Sequence, residues 1–173
     1  MRLNGNHFMV DIETLSKRIT ARIMQVAVVV FNAQGIIDQK MWVLDQARQP
    51  SRHVDIGTLL FWLNTNPERL RTLLSPGGAV GVEDFHSDLV AMRDKYSPEG
   101  WWAHSPSFDL VLLEDLFKWC KLISPWAFRQ ALDTRTLSYL ADAKMIKADP
   151  KDQHDALSDA LAQARWVINV VNS

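Results

Sequence analysis

The chain has 173 residues, 47% of them hydrophobic and 23% charged, which is ordinary globular usage at the size of one domain. A single cysteine, Cys120, excludes an intrachain disulfide framework and any multi-cysteine metal site. Nineteen basic and twenty acidic residues leave a net charge of −1, so the bulk field draws in neither nucleic acid nor acidic membrane. A site built from carboxylates and loaded with divalent metal can still bind phosphate on such a molecule. No apolar run reaches membrane-spanning length, and the opening residues hold no signal-peptide apolar region, so a cytoplasmic protein is expected.

In chain order, His7 to Glu13 predicts a strand with Phe8, Val10 and Ile12 on one face and Met9, Asp11 and Glu13 on the other. Ile23 to Phe31 is nearly all apolar and β-branched, as in a strand covered on both faces. A turn at Asn32 to Gly35 leads to a hairpin partner over Ile36 to Leu44. Helices are predicted at Asp55 to Asn64, Pro67 to Leu74 and Val82 to Tyr96. A short buried strand at Trp101 to His104 precedes a helix that Ser107 is expected to cap and that runs through Cys120 on the stripe Leu110, Leu113, Leu116 and Phe117. Trp126 to Ala131 is open to a fifth short strand, and helices at Asp133 to Ala143 and Asp155 to Val171 follow. Trp119 and Trp166, at helical spacing, are expected in the core. The pattern predicts one α/β domain over residues 1–173, with a mixed sheet whose first three strands are antiparallel.

The chemistry concentrates at element boundaries. Asp11 and Glu13, two residues apart on a strand, leave the same face, where each raises the other's pKa unless a cation sits between them. Read alone, the pair also fits an exposed strand end. Asp109, in the first turn of its helix, would complement the helix dipole or join a site beyond the preceding strand. His154 and Asp159 converge only if the histidine sits at or before the helix start, since five residues on one helix place them about 140° apart. Pro150, Lys151 and Asp152 favour such a late start, and Ala156, Ala160 and Ala164 would let that helix approach the sheet closely.

The segments FMVDIETL, SPSFDLVLLEDL and HDALSDALAQA together resemble the three motifs of the DEDDh exonucleases, the histidine branch of the DnaQ-like superfamily on a ribonuclease H-like fold. The likeness spans nearly the whole chain and is strongest to the small mycobacterial-type 3′-to-5′ exoribonucleases and related phage exonucleases. It extends to Thr58-Leu59-Leu60-Phe61-Trp62 and to Leu132 through Leu137. One departure is the stretch His104-Ser105-Pro106-Ser107, where many relatives carry asparagine before the second-motif aspartate.

The resemblance implies two ions of Mg2+ or Mn2+ held by Asp11, Glu13, Asp109 and Asp159, with His154 as general base, releasing nucleoside 5′-monophosphates from the 3′ ends of single-stranded RNA or DNA, RNA favoured. It places Thr14 and Leu15 against the terminal nucleotide, Leu15 as an apolar wedge. Phe61, Trp62 and Phe108 are stacking candidates, Trp62 fitting core packing equally well, and Arg18, Arg22 and Arg135 fit either phosphate contacts or solvated surface. Small relatives often pair, so a homodimer is a further expectation. An aspartyl phosphatase would need aspartate where Glu13 stands and gives His154 no task. A Walker-type site is disfavoured because Gly77 to Gly81 lacks a lysine. A non-catalytic ribonuclease H-like binding module is opposed by the presence of all five catalytic-type residues.

Overall fold

A computed structural model describes residues 3–75, 77–145, 148–149 and 154–173. Five strands form one sheet in the order β3-β2-β1-β4-β5. β1 (His7–Thr14), β2 (Ile23–Asn32) and β3 (Gly35–Val43) pair antiparallel, as the sequence predicts. β4 (Gly100–Ala103) joins the other side of β1 in parallel, and β5 (Ala131–Asp133) extends that parallel half, starting at the last residue of the segment expected to hold it and running on to Asp133. Glycine at the start of β4 leaves room for its neighbours: a Cβ on Gly100 would stand 2.3 Å from Leu132 Cδ1 and 2.9 Å from His7 Nδ1, so those side chains would have to shift.

The period-two pattern of β1 divides the core as expected. Phe8, Val10 and Ile12 face α3 (Val82–Tyr96) and α4 (Asp109–Trp119), whose Phe85, Leu89, Leu113, Leu116 and Phe117 are fully buried. Met9, Ala27, Val29 and Phe31 face α6 (Ala156–Asn172), and Ala156, Ala160 and Ala164 give that helix its close seat. A smaller cluster of Leu15, Met24, Trp62, Leu70 and Leu73 lies beneath α1 (Ile56–Thr65) and α2 (Pro67–Leu74). α5 (Thr134–Leu140) is shorter than predicted.

Two expectations fail here. Ser107 does not cap α4: Phe108 occupies the cap position without a side-chain bond, and Ser107 Oγ pairs with Ser105 Oγ at 3.2 Å. Trp166 is core, but Trp119 is 41% exposed, because the last turn of α4 carries it off the apolar stripe and under the Arg52 guanidinium, 5.9 Å from its ring. Among the described residues no helix is long and apolar enough to cross a membrane.

Candidate active site

The second half of β1 carries Asp11 and Glu13 on the face that receives α6. Pairing places Ala27 opposite Asp11 and Gln25 opposite Glu13, so a small neighbour leaves room beside the first carboxylate. From α6, Asp159 brings a carboxylate oxygen to the same point. One oxygen from each of Asp11, Glu13 and Asp159 lies within 4.8 Å of the others.

Asp109 enters from the opposite layer. β4 pairs with β1 only over His7 to Met9, so the second half of β1 runs on beyond β4 on that side. The backbone amides of Ile12, Ser105 and Asp109 lie near enough to the Asp109 carboxylate to favour its charged form, while the Asp109 N–H itself donates to the Ser105 carbonyl at 3.0 Å. Asp109, only 6% exposed, lines the same cavity. That cavity, of about 480 Å3, is lined by Asp11, Phe108, Asp109, Arg135, His154 and Asp159, with His104, Ser105 and Gln163.

The electrostatics are those of crowded, unneutralised carboxylates. Burial, and then the charges of Asp109, Glu13 and Asp159, drive Asp11 well above the usual carboxylate range. Burial and the neighbouring Asp159, Asp109 and Asp155 push Glu13 up to about 8, with Arg69 opposing. Burial raises Asp109 to about 7 against its backbone hydrogen bonds and Arg135. A hard divalent cation would relieve this repulsion, and an all-oxygen donor set suits magnesium or manganese over softer metals. The residues present therefore fit such an ion.

His154 precedes α6, as its convergence with Asp159 requires; residues 150–153, invoked above for the late start, lie outside the described residues. Its backbone is left-handed, with φ of 62°, and its N–H donates to Asp159 Oδ2 at 2.9 Å. The imidazole stands edge-on to Phe61 and Trp62, with ring centroids 5.2 and 6.0 Å away. Four of the five predicted catalytic residues, Asp11, Asp109, His154 and Asp159, thus line one cavity, and Glu13 joins them through the carboxylate cluster it forms with Asp11 and Asp159.

The predicted substrate contacts divide. Phe108 lines the cavity and Phe61 is 46% exposed beside His154. Leu15 does not present a wedge at the surface: it is 4% exposed, packed in the cluster under α1 and α2. Trp62 is likewise a core residue, its Nε1 donating to the Thr14 carbonyl at 3.1 Å, and Thr14 is buried with its hydroxyl donating to the Ser16 carbonyl. Arg135 reaches the cavity, donating to His104 Nε2 at 3.3 Å. Arg22 donates to the Pro50 carbonyl instead, and Arg18 lines a separate cavity with Lys17 and Phe61.

Sequence reasoning missed the residues that support the carboxylates. Gln163 donates to Asp11 Oδ1 at 2.8 Å; its position four residues after Asp159 on α6, on the same helical face, was an available signal. Gln25 and Arg69 both donate to Asp155 Oδ1, at 3.0 and 2.9 Å, and nothing local in the sequence announces it.

The family described as the 3′-5′ exoribonuclease Rv2179c-like domain matches residues 6–171. The chain belongs to that family. Its fold is shared with DEDDh exonucleases of known structure. Escherichia coli exonuclease I bound to a 5cy-dA13 oligonucleotide superposes with a TM-score of 0.68 at 14% identity, covering 98% of this chain and 41% of that one. The nuclease domain of 3′hExo, a DEDDh family member bound to rAMP, gives 0.64 at 11% identity over 97% and 92% of the two chains. Exonuclease X in complex with 5′ overhanging duplex DNA gives 0.54 at 16%, over 96% and 91%. The chain therefore spans about two fifths of exonuclease I but nearly all of the other two domains. No curated protein sequence gives a significant match.

Proposed function

We propose that this chain is a single metal-dependent exonuclease domain that removes nucleoside 5′-monophosphates from the 3′ ends of single-stranded nucleic acid, with RNA preferred. The observation that carries the reading is the meeting of Asp11, Glu13 and Asp159 oxygens within 4.8 Å, with Asp109 and His154 on the same cavity, in a chain of this family. Asp11, Glu13, Asp109 and Asp159 would hold two divalent ions, Mg2+ or Mn2+, which when bound supply positive charge to the phosphate undergoing displacement.

The chain's own residues supply the rest. His154 accepts a proton at an imidazole nitrogen from the water whose oxygen attacks phosphorus. The bond from phosphorus to the 3′ oxygen of the preceding nucleotide breaks, that oxygen takes up a proton from solvent to leave a 3′-hydroxyl on the shortened strand, and the phosphate leaves on the released nucleotide. Phe108 and the exposed Phe61 offer flat apolar surfaces that accept any base. Arg135 lends positive charge at the cavity wall. Thr14, Leu15 and Trp62 act from beneath, as the floor that sets the height of Phe61 and His154.

The preference for RNA rests on the family to which the chain belongs and on the 2′-hydroxyl, a donor and acceptor that a group such as Glu13 would engage at the terminal nucleotide. One selective hydrogen bond is worth about 1 kcal/mol, so the preference should be several-fold and DNA should be cut too. The deciding experiment compares kcat/KM on matched single-stranded RNA and DNA labelled at the 5′ end, with a covalently closed circle as control. Mononucleotide release in Mg2+ or Mn2+, silence in chelator and resistance of the circle are expected. Cutting of the circle would make the enzyme an endonuclease, and equal or faster cutting of DNA would reverse the preference. Sedimentation of the same preparation reports whether the chain pairs, as the family resemblance implies.

A further inference from the structure

His154 occupies a backbone conformation that a β-carbon disfavours, so its place at the site must be imposed by its neighbours. On one side its N–H is held by Asp159, and its ring rests on Phe61 and Trp62. On the other side the holding group is Asp155, the residue that flanks α6. An aspartate there ordinarily accepts from the free amides of the first helical turn. Here it makes no such bond: Oδ1 takes hydrogens from Gln25 Nε2 at 3.0 Å and Arg69 Nη1 at 2.9 Å, and Oδ2 takes one from Ser158 Oγ at 2.9 Å.

The vacated capping task passes to Gln25, whose Oε1 accepts from the Ala156 N–H at 3.1 Å. Gln25 has no exposed surface and sits on β2 at the register position opposite Glu13, so one side chain links the metal-facing strand pair to the start of α6. Arg69 comes from α2, which Leu70 and Leu73 anchor in the core and Asn66 caps by accepting from the Arg69 N–H at 3.0 Å. The Arg69–Asp155 pair is largely sheltered, with side chains 28% and 14% exposed.

We propose that Arg69 and Gln25 are positioning residues for His154: through Asp155 they fix the residue next to the general base from two separate elements, and so hold the imidazole over the carboxylate cluster. The inference rests on the exonuclease reading. Its bland competitor is an ion pair that serves stability alone, and a second competitor is Arg69 acting on the charge of Glu13, which it opposes.

The test places Arg69→Ala, Arg69→Lys and Asp155→Asn in the wild-type and His154→Ala backgrounds. Misplacing the base should lower kcat of Arg69→Ala about 10- to 100-fold with KM within about twofold, and the loss should vanish when His154 is already alanine. Arg69→Lys should recover most of the rate, since an ammonium also reaches the carboxylate. Asp155→Asn, which keeps an acceptor oxygen, should lose less than Arg69→Ala and serves if that variant fails to fold. Independently of turnover, the His154 ring resonances in the metal-free protein should shift or broaden in Arg69→Ala, while Mn2+ affinity stays within about threefold.

An equal loss of rate in the His154→Ala background, unchanged ring resonances or a large fall in Mn2+ affinity would overturn the assignment. Absence of wild-type nuclease activity would instead sink the exonuclease reading, and the resonance measurement would still judge the tether.

Discussion

Gln163 Nε2 donates to Asp11 Oδ1 across 2.8 Å, while Gln163 Oε1, buried in the same place, has no hydrogen-bond partner among the described residues. The bond favours the charged form of Asp11 against burial and three neighbouring carboxylates. Gln163→Leu removes it, so protons compete better for Asp11. Mn2+ affinity near neutral pH should fall about tenfold, the usual cost of losing a group that orients a ligand. Titration followed by electron paramagnetic resonance reads this, and an unchanged affinity would show the bond to be incidental.

The metal-free protein should lose stability as pH rises. Glu13 moves from 4.5 to about 8 and Asp109 from 3.8 to about 7, so between pH 4 and 8 the folded chain holds more protons than the unfolded one. The stabilisation is complete below the unfolded values and is lost as pH passes through the folded ones. Thermal melts in chelator should therefore show Tm falling from pH 5 to pH 8, and Mg2+ should flatten the decline. A metal-free Tm that rises over that window would contradict the crowding.

Removing one carboxylate tests the same repulsion from the other side. Asp11→Ala should abolish turnover yet raise the Tm of the metal-free protein at pH 8, because three neighbours are relieved of a like charge. A lowered Tm would mean that the Asp11 side chain holds the fold together as well as the site.

His154→Ala should lower kcat about 10²- to 10⁴-fold, as loss of a general base does. Metal binding should persist, since the hydrogen bond to Asp159 comes from the main chain and survives the change. The φ of 62° adds a stability arm: His154→Gly should be more stable than His154→Ala by about 1 kcal/mol, because glycine adopts this conformation without penalty. Urea unfolding of the two variants decides it.

Leu15 and Phe61 should separate cleanly. Leu15→Ala opens the buried cluster under α1 and should cost about 2–5 kcal/mol of stability. Phe61→Ala, at a half-exposed position, should cost far less stability and raise KM for oligonucleotides. The reverse pattern would restore Leu15 as a substrate wedge.

What the sequence determined by itself is whatever a local period sets. The two-residue repeat of β1 forces Asp11 and Glu13 onto one face, the alanines of α6 predict its close approach, and the angle between His154 and Asp159 requires the histidine to precede the helix. Only the tertiary structure decided which faces have neighbours. Periodicity marks Leu15, Trp62 and Trp119 as apolar or aromatic, but burial of the first two and exposure of the third follow from which helix covers them. Asp109 reaches the cavity because α4 packs on the Phe8, Val10 and Ile12 face of β1, in the layer opposite α6. Gln163, Gln25 and Arg69 find their partners across 152, 130 and 86 residues of sequence, a separation at which local spacing carries no information and only the packing of layers brings donor to acceptor.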